Sequence, residues 1–275
     1  MSRIPIAFAR ARADGRAALI AYLMGGDPDL ATTRELALAC EAGGADLVEL
    51  GIPFSDPIAD GPEIQEAGQR ALRAGTRPGD VLALVAELRQ RTQLPIVLMT
   101  YTNPILAMGL PSFAERAARA GVDGVIVPDL SLEVSGEIRD ALDPAGVDHI
   151  QLVAPSTSSD RAEVIARSSR GFLYVVARYG TTGVRASLSE EIGPRLASLH
   201  RITSLPLAVG FGVSGRDQVR TLAAAGADGV VVGSAIVRQA AVDPNPERIR
   251  AFVADLAGGL PKGAPTSPAL RGSSR

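Results

Sequence analysis

One phrase recurs four times along the chain: "AGGADLVEL" at 42–50, "AGVDGVIVPD" at 120–129, "AGVDHIQLVAP" at 145–155 and "AGADGVVVGSA" at 225–235. In each copy a helical stretch stops at glycine, the chain turns through aspartate, and an apolar, β-branched run begins. Glycine suits a helix C-cap because it reaches positive φ without strain. A run that is apolar at successive positions fits a strand buried on both faces of a parallel sheet. Four further runs have this character: "AALIAYLM" (17–24), "PIVLMTY" (95–101), "GFLYVV" (171–176) and "PLAVGFG" (206–212). Amphipathic segments such as "DLATTRELALACEAG" and "PGDVLALVAELRQRT" stand between the strands. Eight strands alternating with helices in a chain of 275 residues predict an α/β fold, a (β/α)8 or TIM barrel forming one domain over residues 1–257. A doubly wound open sheet is the alternative. It usually carries a glycine-rich phosphate turn after its first strand, and "MGGDPD" lacks that pattern. Residues 258–275 are rich in Gly, Pro and Ser without periodicity, which predicts a disordered tail outside the fold.

Composition narrows the function. A net charge of −2 and the lack of any basic run give no reason to expect nucleic acid or a membrane surface. No apolar stretch approaches the ~20 residues that span a bilayer, and the basic N-terminus has no apolar core of a signal peptide. Cys40 is the only cysteine, so no internal disulfide forms. These features predict a cytoplasmic protein. The only lysine, Lys262, lies in the tail, which argues against Schiff-base chemistry. Two histidines, His149 and His200, are too few for a site with several His ligands, so no metal is expected. No Ser or Cys has a plausible His partner for nucleophilic catalysis.

In a barrel the chemistry sits at the C-terminal ends of the strands. Three groups of residues fall there. The first is in "VELGIPFSDPIADGP" (48–62), where Glu49 interrupts an apolar strand and a Pro-rich loop follows with Asp56 and Asp60 but no cation. Burial raises a carboxyl pKa, and two carboxyls in different environments can divide the roles of acid and base. A structural Glu satisfied by backbone or by arginine is the competing reading of Glu49. Asp56 reads as a solvated turn residue and Asp129 as a helix cap or support. The second group comprises Gly210-Phe211-Gly212 and Gly233-Ser234, glycines that end two late strands. Backbone amides and a helix N-terminus there can cradle phosphate, although glycine also serves tight βα turns. The third is "GTTG" (180–183), whose length suits a closing lid.

"LVELGIPFSDPIADGPEIQEAGQRAL" resembles the signature of the tryptophan synthase alpha chain family. The resemblance continues through "GDPD" (26–29), "MTYTNPI" (99–105), "GVIVPDL" (124–130), "LVAPSTSSDR" (152–161), "GFLYVV" with "GTTG" (171–183), "GFGVS" (210–214) and "GVVVGSAIV" (229–237), and so covers residues 15–255. It implies a (β/α)8 barrel that cleaves indole-3-glycerol phosphate to indole and glyceraldehyde 3-phosphate. It implies that Glu49 is the acid and base at indole C3 and the C3′ hydroxyl, that Asp60 takes the charge at N1–H, and that Tyr174 hydrogen-bonds Glu49. An apolar slot for indole would be formed by Tyr22, Leu98, Ile126, Pro128, Leu152 and Val231. Thr182, Gly183, Gly212, Gly233 and Ser234 would bind the rest of the substrate, chiefly its phosphate. The lid entry departs from the family, reading "ARYGTTG" where a Ser-Arg-Ser-Gly-Val-Thr-Gly type is more usual. The resemblance also implies no cofactor in this chain and an α2β2 heterotetramer with a beta chain that carries pyridoxal phosphate. The loop 53–60 and the "GTTG" lid are the expected contact surfaces. A stand-alone lyase that releases indole, and a barrel that keeps a phosphate site only to bind or regulate, are the alternatives.

Overall fold

The structure is a computed structural model and describes residues 2–177, 188–210 and 212–260. Strands β1 (Ala18–Met24), β2 (Leu47–Gly51), β3 (Ile96–Met99), β4 (Gly124–Ile126), β5 (Asp148–Ile150), β6 (Leu152–Val153), β7 (Leu173–Val176), β8 (Leu207–Gly210) and β9 (Gly229–Val232) form one parallel sheet. Their order is β5-β4-β3-β2-β1-β9-β8-β7-β6. The two ends of that order, β5 and β6, are separated in the chain by Gln151 alone, so the sheet closes into a barrel there. Inward-facing Ile150 and Leu152 keep the alternation across the gap. This is the single fifth strand expected from sequence, interrupted because the Gln151 N–H goes to Ser169 Oγ while its carbonyl accepts from Tyr174 on β7.

The repeated phrase has a physical role beyond the helix stop. Its glycines, Gly44, Gly121, Gly146 and Gly226, all sit at positive φ. In three copies the aspartate accepts a backbone N–H from the neighbouring strand: Asp46 from Leu19 at 2.8 Å, Asp123 from Ile96 at 2.9 Å and Asp228 from Leu207 at 2.9 Å. Each carboxylate pins a strand entrance at the N-terminal end of the barrel. Asp148, in the fourth copy, leaves Oδ2 without a hydrogen-bond partner.

Side chains alternate across the sheet. Ala18, Ile20, Leu47, Val97, Ile126, Ile150, Tyr174, Ala208 and Val231 fill the interior, whereas Leu19, Val48, Leu98, Val125, Val175 and Val230 pack outward under the helices. A helix not expected from sequence, α1 (Ile4–Ala13), closes the N-terminal end. Ile4, Phe8 and Ala11 are buried there, and the Phe8 ring lies 5.6 Å from that of Phe172. The N-terminal face is thus plugged and clamped, which leaves the C-terminal face open to chemistry. Gly258 accepts from Arg216 and Leu260 is buried, so the first residues assigned to a tail by composition pack on the barrel. Residues 261–275 lie outside the described residues.

Candidate active site

Glu49 stands on β2 with its side chain inside the barrel, fully buried. Neither carboxyl oxygen has a hydrogen-bond partner, and no ion pair reaches them among the described residues. Burial alone pushes its pKa up to about 8. An unpaired buried carboxylate costs several kcal/mol, so this group rests in its protonated form at neutral pH. The reading of Glu49 as a satisfied structural residue therefore fails.

Asp60 lies nine residues past the end of β2, in the loop before α3 (Pro62–Arg73). It is half-buried, and desolvation raises its pKa to about 6 against the lowering effect of a hydrogen bond from Tyr101. The Tyr101 hydroxyl also accepts the Ala59 N–H at 3.0 Å, so one phenol fixes two consecutive residues of the loop. The Phe54 ring packs 5.3 Å from that of Tyr101. Sequence reasoning missed Tyr101. The signal was its place just past the end of β3, inside "MTYTNPI", in an otherwise apolar stretch.

Two more phenols border the carboxyls. Tyr22 on β1 is the register partner of Glu49. Its hydroxyl lies over Gly51, where a Cβ would come within 2.1 Å of it. Tyr174 on β7 does the same to the glycine ending the next strand: a Cβ on Gly210 would fall 2.2 Å from its hydroxyl. Only glycine permits these rings to lie across the strand ends. Both hydroxyl pKa values are driven up, first by burial and then by the charges of Asp60 and Glu49. The expected hydrogen bond from Tyr174 to Glu49 is not made, since both Glu49 oxygens are unpartnered. The charge of Glu49 bears on the Tyr174 hydroxyl, while burial alone raises the pKa of Glu49.

Ile126, Leu152 and Val231 face the interior, and Pro128 lies just past the end of β4. Leu98 does not belong with them. It sits in the outer layer beneath the helices, and the inward positions of β3 are Val97 and Met99. Asp129 caps in trans: its carboxylate accepts the Thr102 N–H at 3.0 Å and the Thr102 hydroxyl at 3.0 Å, at the start of α5 (Thr102–Met108). Asp56 is exposed, as a turn residue should be.

At the late strands, Gly212 has φ +84 and open space where a Cβ would be. Gly233 is the N-cap of α11 (Ser234–Val242), and no side chain caps that helix. Its first amides are unclaimed by a cap and meet the barrel mouth beside Tyr22, whose Cβ is 3.4 Å from a Cβ built on Gly233. Such an uncapped helix start, with its dipole, favours an anion. Thr182 and Gly183, with the remainder of "GTTG", lie outside the described residues, as does Phe211. Among the described residues no cluster of His, Cys, Asp and Glu could hold a metal ion.

Taken together, a carboxyl with its pKa pushed up to about 8 and another raised to about 6 share one apolar mouth with three phenols, and the uncapped start of α11 opens beside one of them, Tyr22. The arrangement suits proton transfer to and from a phosphorylated substrate that carries its own electron sink.

Comparison with known proteins agrees. Residues 8–258 match the family model described as "Tryptophan synthase alpha chain". The tryptophan synthase alpha chain of Synechococcus elongatus is 48% identical over 239 residues, covering 87% of this chain and 90% of the relative. That of Carboxydothermus hydrogenoformans is 50% identical over 237 residues, covering 86% and 88%. Among solved structures, tryptophan synthase of Mycobacterium tuberculosis superposes with a TM-score of 0.85 at 38% identity, over 94% of this chain and 98% of the matched one.

Proposed function

The chain belongs to the tryptophan synthase alpha chain family, and from that membership we infer how its barrel mouth performs the family reaction. The enzyme is a carbon–carbon lyase that cleaves indole-3-glycerol phosphate.

The pair of carboxyl pKa values carries the assignment of roles. At neutral pH Glu49, near 8, holds a proton, and Asp60, near 6, is ionised. Glu49 gives its proton to indole C3, which turns the ring into an iminium whose positive charge sits at N1–H. Asp60 accepts the N1–H hydrogen bond and stabilises that charge where it appears. Glu49, now a carboxylate, takes the proton of the C3′ hydroxyl. The C3–C3′ bond breaks, its electrons return to the indole ring, and the C3′ carbon leaves as an aldehyde. The proton lent to C3 is recovered from the hydroxyl, so Glu49 ends the cycle as it began. Tyr174 offers a neutral phenol beside the transient Glu49 carboxylate. Tyr22, Ile126, Pro128, Leu152, Val231 and, in place of Leu98, Met99 wall the indole slot. Gly212, Gly233 and Ser234 hold the phosphate, joined by Thr182 and Gly183.

Family membership implies a beta chain as partner. We place its contact on the rim beside the Asp60 loop and assign the assembly an α2β2 stoichiometry. An apolar cleft of about 470 Å³ opens there between Pro53, Phe54, Leu72, Pro104, Ala107 and Met108. Ile58 (82%), in the loop that supplies Pro53 and Phe54, and Leu106 (57%), next to Ala107 in the chain, are exposed as well. Exposed apolar surface around a cleft of this kind fits a protein interface. Pyridoxal phosphate belongs on the beta chain in this reading, because Lys262, the sole lysine here, is remote in sequence from the site. No helix among the described residues is long and apolar enough to cross a membrane, and we place the enzyme in the cytoplasm. An indole-release assay with and without the beta chain tests the whole reading. Cleavage that rises on adding the partner supports it, and a chain inert towards indole-3-glycerol phosphate in both conditions refutes it.

A further inference from the structure

Asp60 is held at the mouth from two sides: Tyr101 donates to its carboxylate, and α3 holds the backbone at the end of its loop. The loop itself has few anchors: the Ala59 N–H and the Asp60 carboxylate to Tyr101, the Asp60 carbonyl to Gln65 Nε2 at 2.8 Å, and short turns at Asp56 and Pro57. The backbone at Asp60 therefore follows the helix through Gln65, while Tyr101 holds the carboxylate itself. One face of α3, Ile64, Ala67 and Ala71, packs on Tyr22, Met24 and Val237. Apolar packing of that kind resists separation but sets no register along the helix axis, since it is non-directional.

Register is set at the other end. Arg70 donates from Nε and Nη2 to the two oxygens of Asp27, each at 2.8 Å, in a bidentate fork. Asp27 is 6% exposed and lies in the loop after β1. That loop is rigid in its own right. Gly26 has φ +86 and donates its N–H to Thr33 Oγ1 at 3.0 Å, and Thr76, just past α3, crowds the space where a Gly26 Cβ would stand. A planar fork fixes direction as well as distance. With Asp27 buried but Arg70 31% exposed, an ion pair of this kind adds little net stability, so its use here points to placement.

We propose that Asp27 and Arg70 are positioning residues for Asp60, the fork at the C-terminal end of α3 setting the register that aims the carboxylate ten residues earlier. The proposal rests on the role given to Asp60 above. Asp60 acts on a charge that exists only in the transition state, so its misplacement lowers kcat and spares ground-state binding. A misplacement near 1 Å costs up to about 100-fold.

The test measures indole release by the full-length chain with its beta partner. Arg70→Met and Asp27→Asn are each expected to lower kcat about 10- to 100-fold with KM for indole-3-glycerol phosphate within about threefold. Where either single variant does not fold, the neutral pair Asp27→Asn/Arg70→Gln takes its place and is read the same way. Asp60→Asn runs in parallel. Severe loss in Asp60→Asn with normal kcat in the folded fork variants overturns the positioning role alone. Normal turnover in Asp60→Asn overturns the reading of Asp60 and the proposal with it. A rise in KM at unchanged kcat shows that α3 serves the phosphate helix instead, and a fall in kcat that only tracks the folded fraction by circular dichroism shows a structural pair; either result overturns the proposal.

Discussion

Tyr22 and Glu49 are register partners on adjacent parallel strands, both side chains directed into the barrel, with the tyrosine hydroxyl carried on over Gly51. The neighbour of the buried acid across β1 is therefore an aromatic ring and not a cation. That relationship fits the absence of any group that lowers the Glu49 pKa, which burial alone raises. A proton stays on Glu49 because its surroundings offer no better way to neutralise it.

Glu49→Gln keeps the volume and removes the proton. Indole release is expected to fall by about 10²–10⁴-fold or more, while the far-ultraviolet spectrum and the affinity for inorganic phosphate stay as in the parent. Turnover near the parent rate refutes the proton shuttle. The same substitution has a stability signature with a fixed sign. The folded-state pKa, near 8, lies above the unfolded value of 4.5, so the folded form binds the proton more tightly. The Glu49 contribution to stability is intact below pH 4.5 and is lost as pH rises towards 8, by an amount on the order of a few kcal/mol. Urea unfolding at about pH 6 and about pH 9 should show the parent losing more stability across that interval than Glu49→Gln.

The pH–rate profile should be a bell. Productive free enzyme needs Asp60 ionised, which sets an acid limb near 6, and Glu49 protonated, which sets an alkaline limb near 8. Asp60→Asn is expected to be severely impaired and to flatten the acid limb in whatever activity remains. A profile of kcat/KM that stays level from about pH 5 to about pH 9 would contradict both assignments.

Tyr101→Phe separates positioning from chemistry. The hydroxyl donates to the Asp60 carboxylate and accepts from Ala59, and the first of these bonds lowers the Asp60 pKa. Its removal should move the acid limb of kcat/KM to higher pH and lower kcat by roughly 10-fold, as expected for a loosened catalytic group. An acid limb that moves to lower pH, or not at all, shows that Tyr101 does not hold Asp60.

Much of the fold and the site is legible in the residues themselves, and the misses have physical causes. The repeated glycine and aspartate declare the barrel, because positive φ at a helix end and a strand-entrance acceptor each demand a particular residue type. Glu49 is conspicuous because an acid in an apolar strand has no bland explanation once no cation is near it. Leu98, expected in the slot, belongs to the outer layer: "PIVLMTY" is apolar at successive positions, so it carries no period-2 signal of which side faces inward. Met99 takes its place only when the register with β4 is seen. Tyr101 is hidden because its partner, Ala59, is 42 residues away. The helix α1 is hidden by its arginines, which mask three buried apolar positions that matter only once a barrel floor exists to receive them.

The glycines that end β2 and β8 give the last prediction. Gly51→Ala places a methyl within 2.1 Å of the Tyr22 hydroxyl and 2.9 Å of the ring carbon bearing it. The β2 backbone is held on both sides by pairing to β1 and β3, so the ring and not the strand must give way. Overpacking of this sort costs about 1–3 kcal/mol, and here it also tilts Tyr22 towards the indole slot. Gly51→Ala is expected to lower the melting temperature and raise KM. Adding Tyr22→Phe removes the atom in closest conflict and should recover part of both losses, although the ring carbon remains close. Because the two residues touch, their effects should be non-additive in a double-mutant cycle. Strictly additive effects would mean that the tyrosine does not lie across Gly51, and the inward layer of phenols would have to be redrawn.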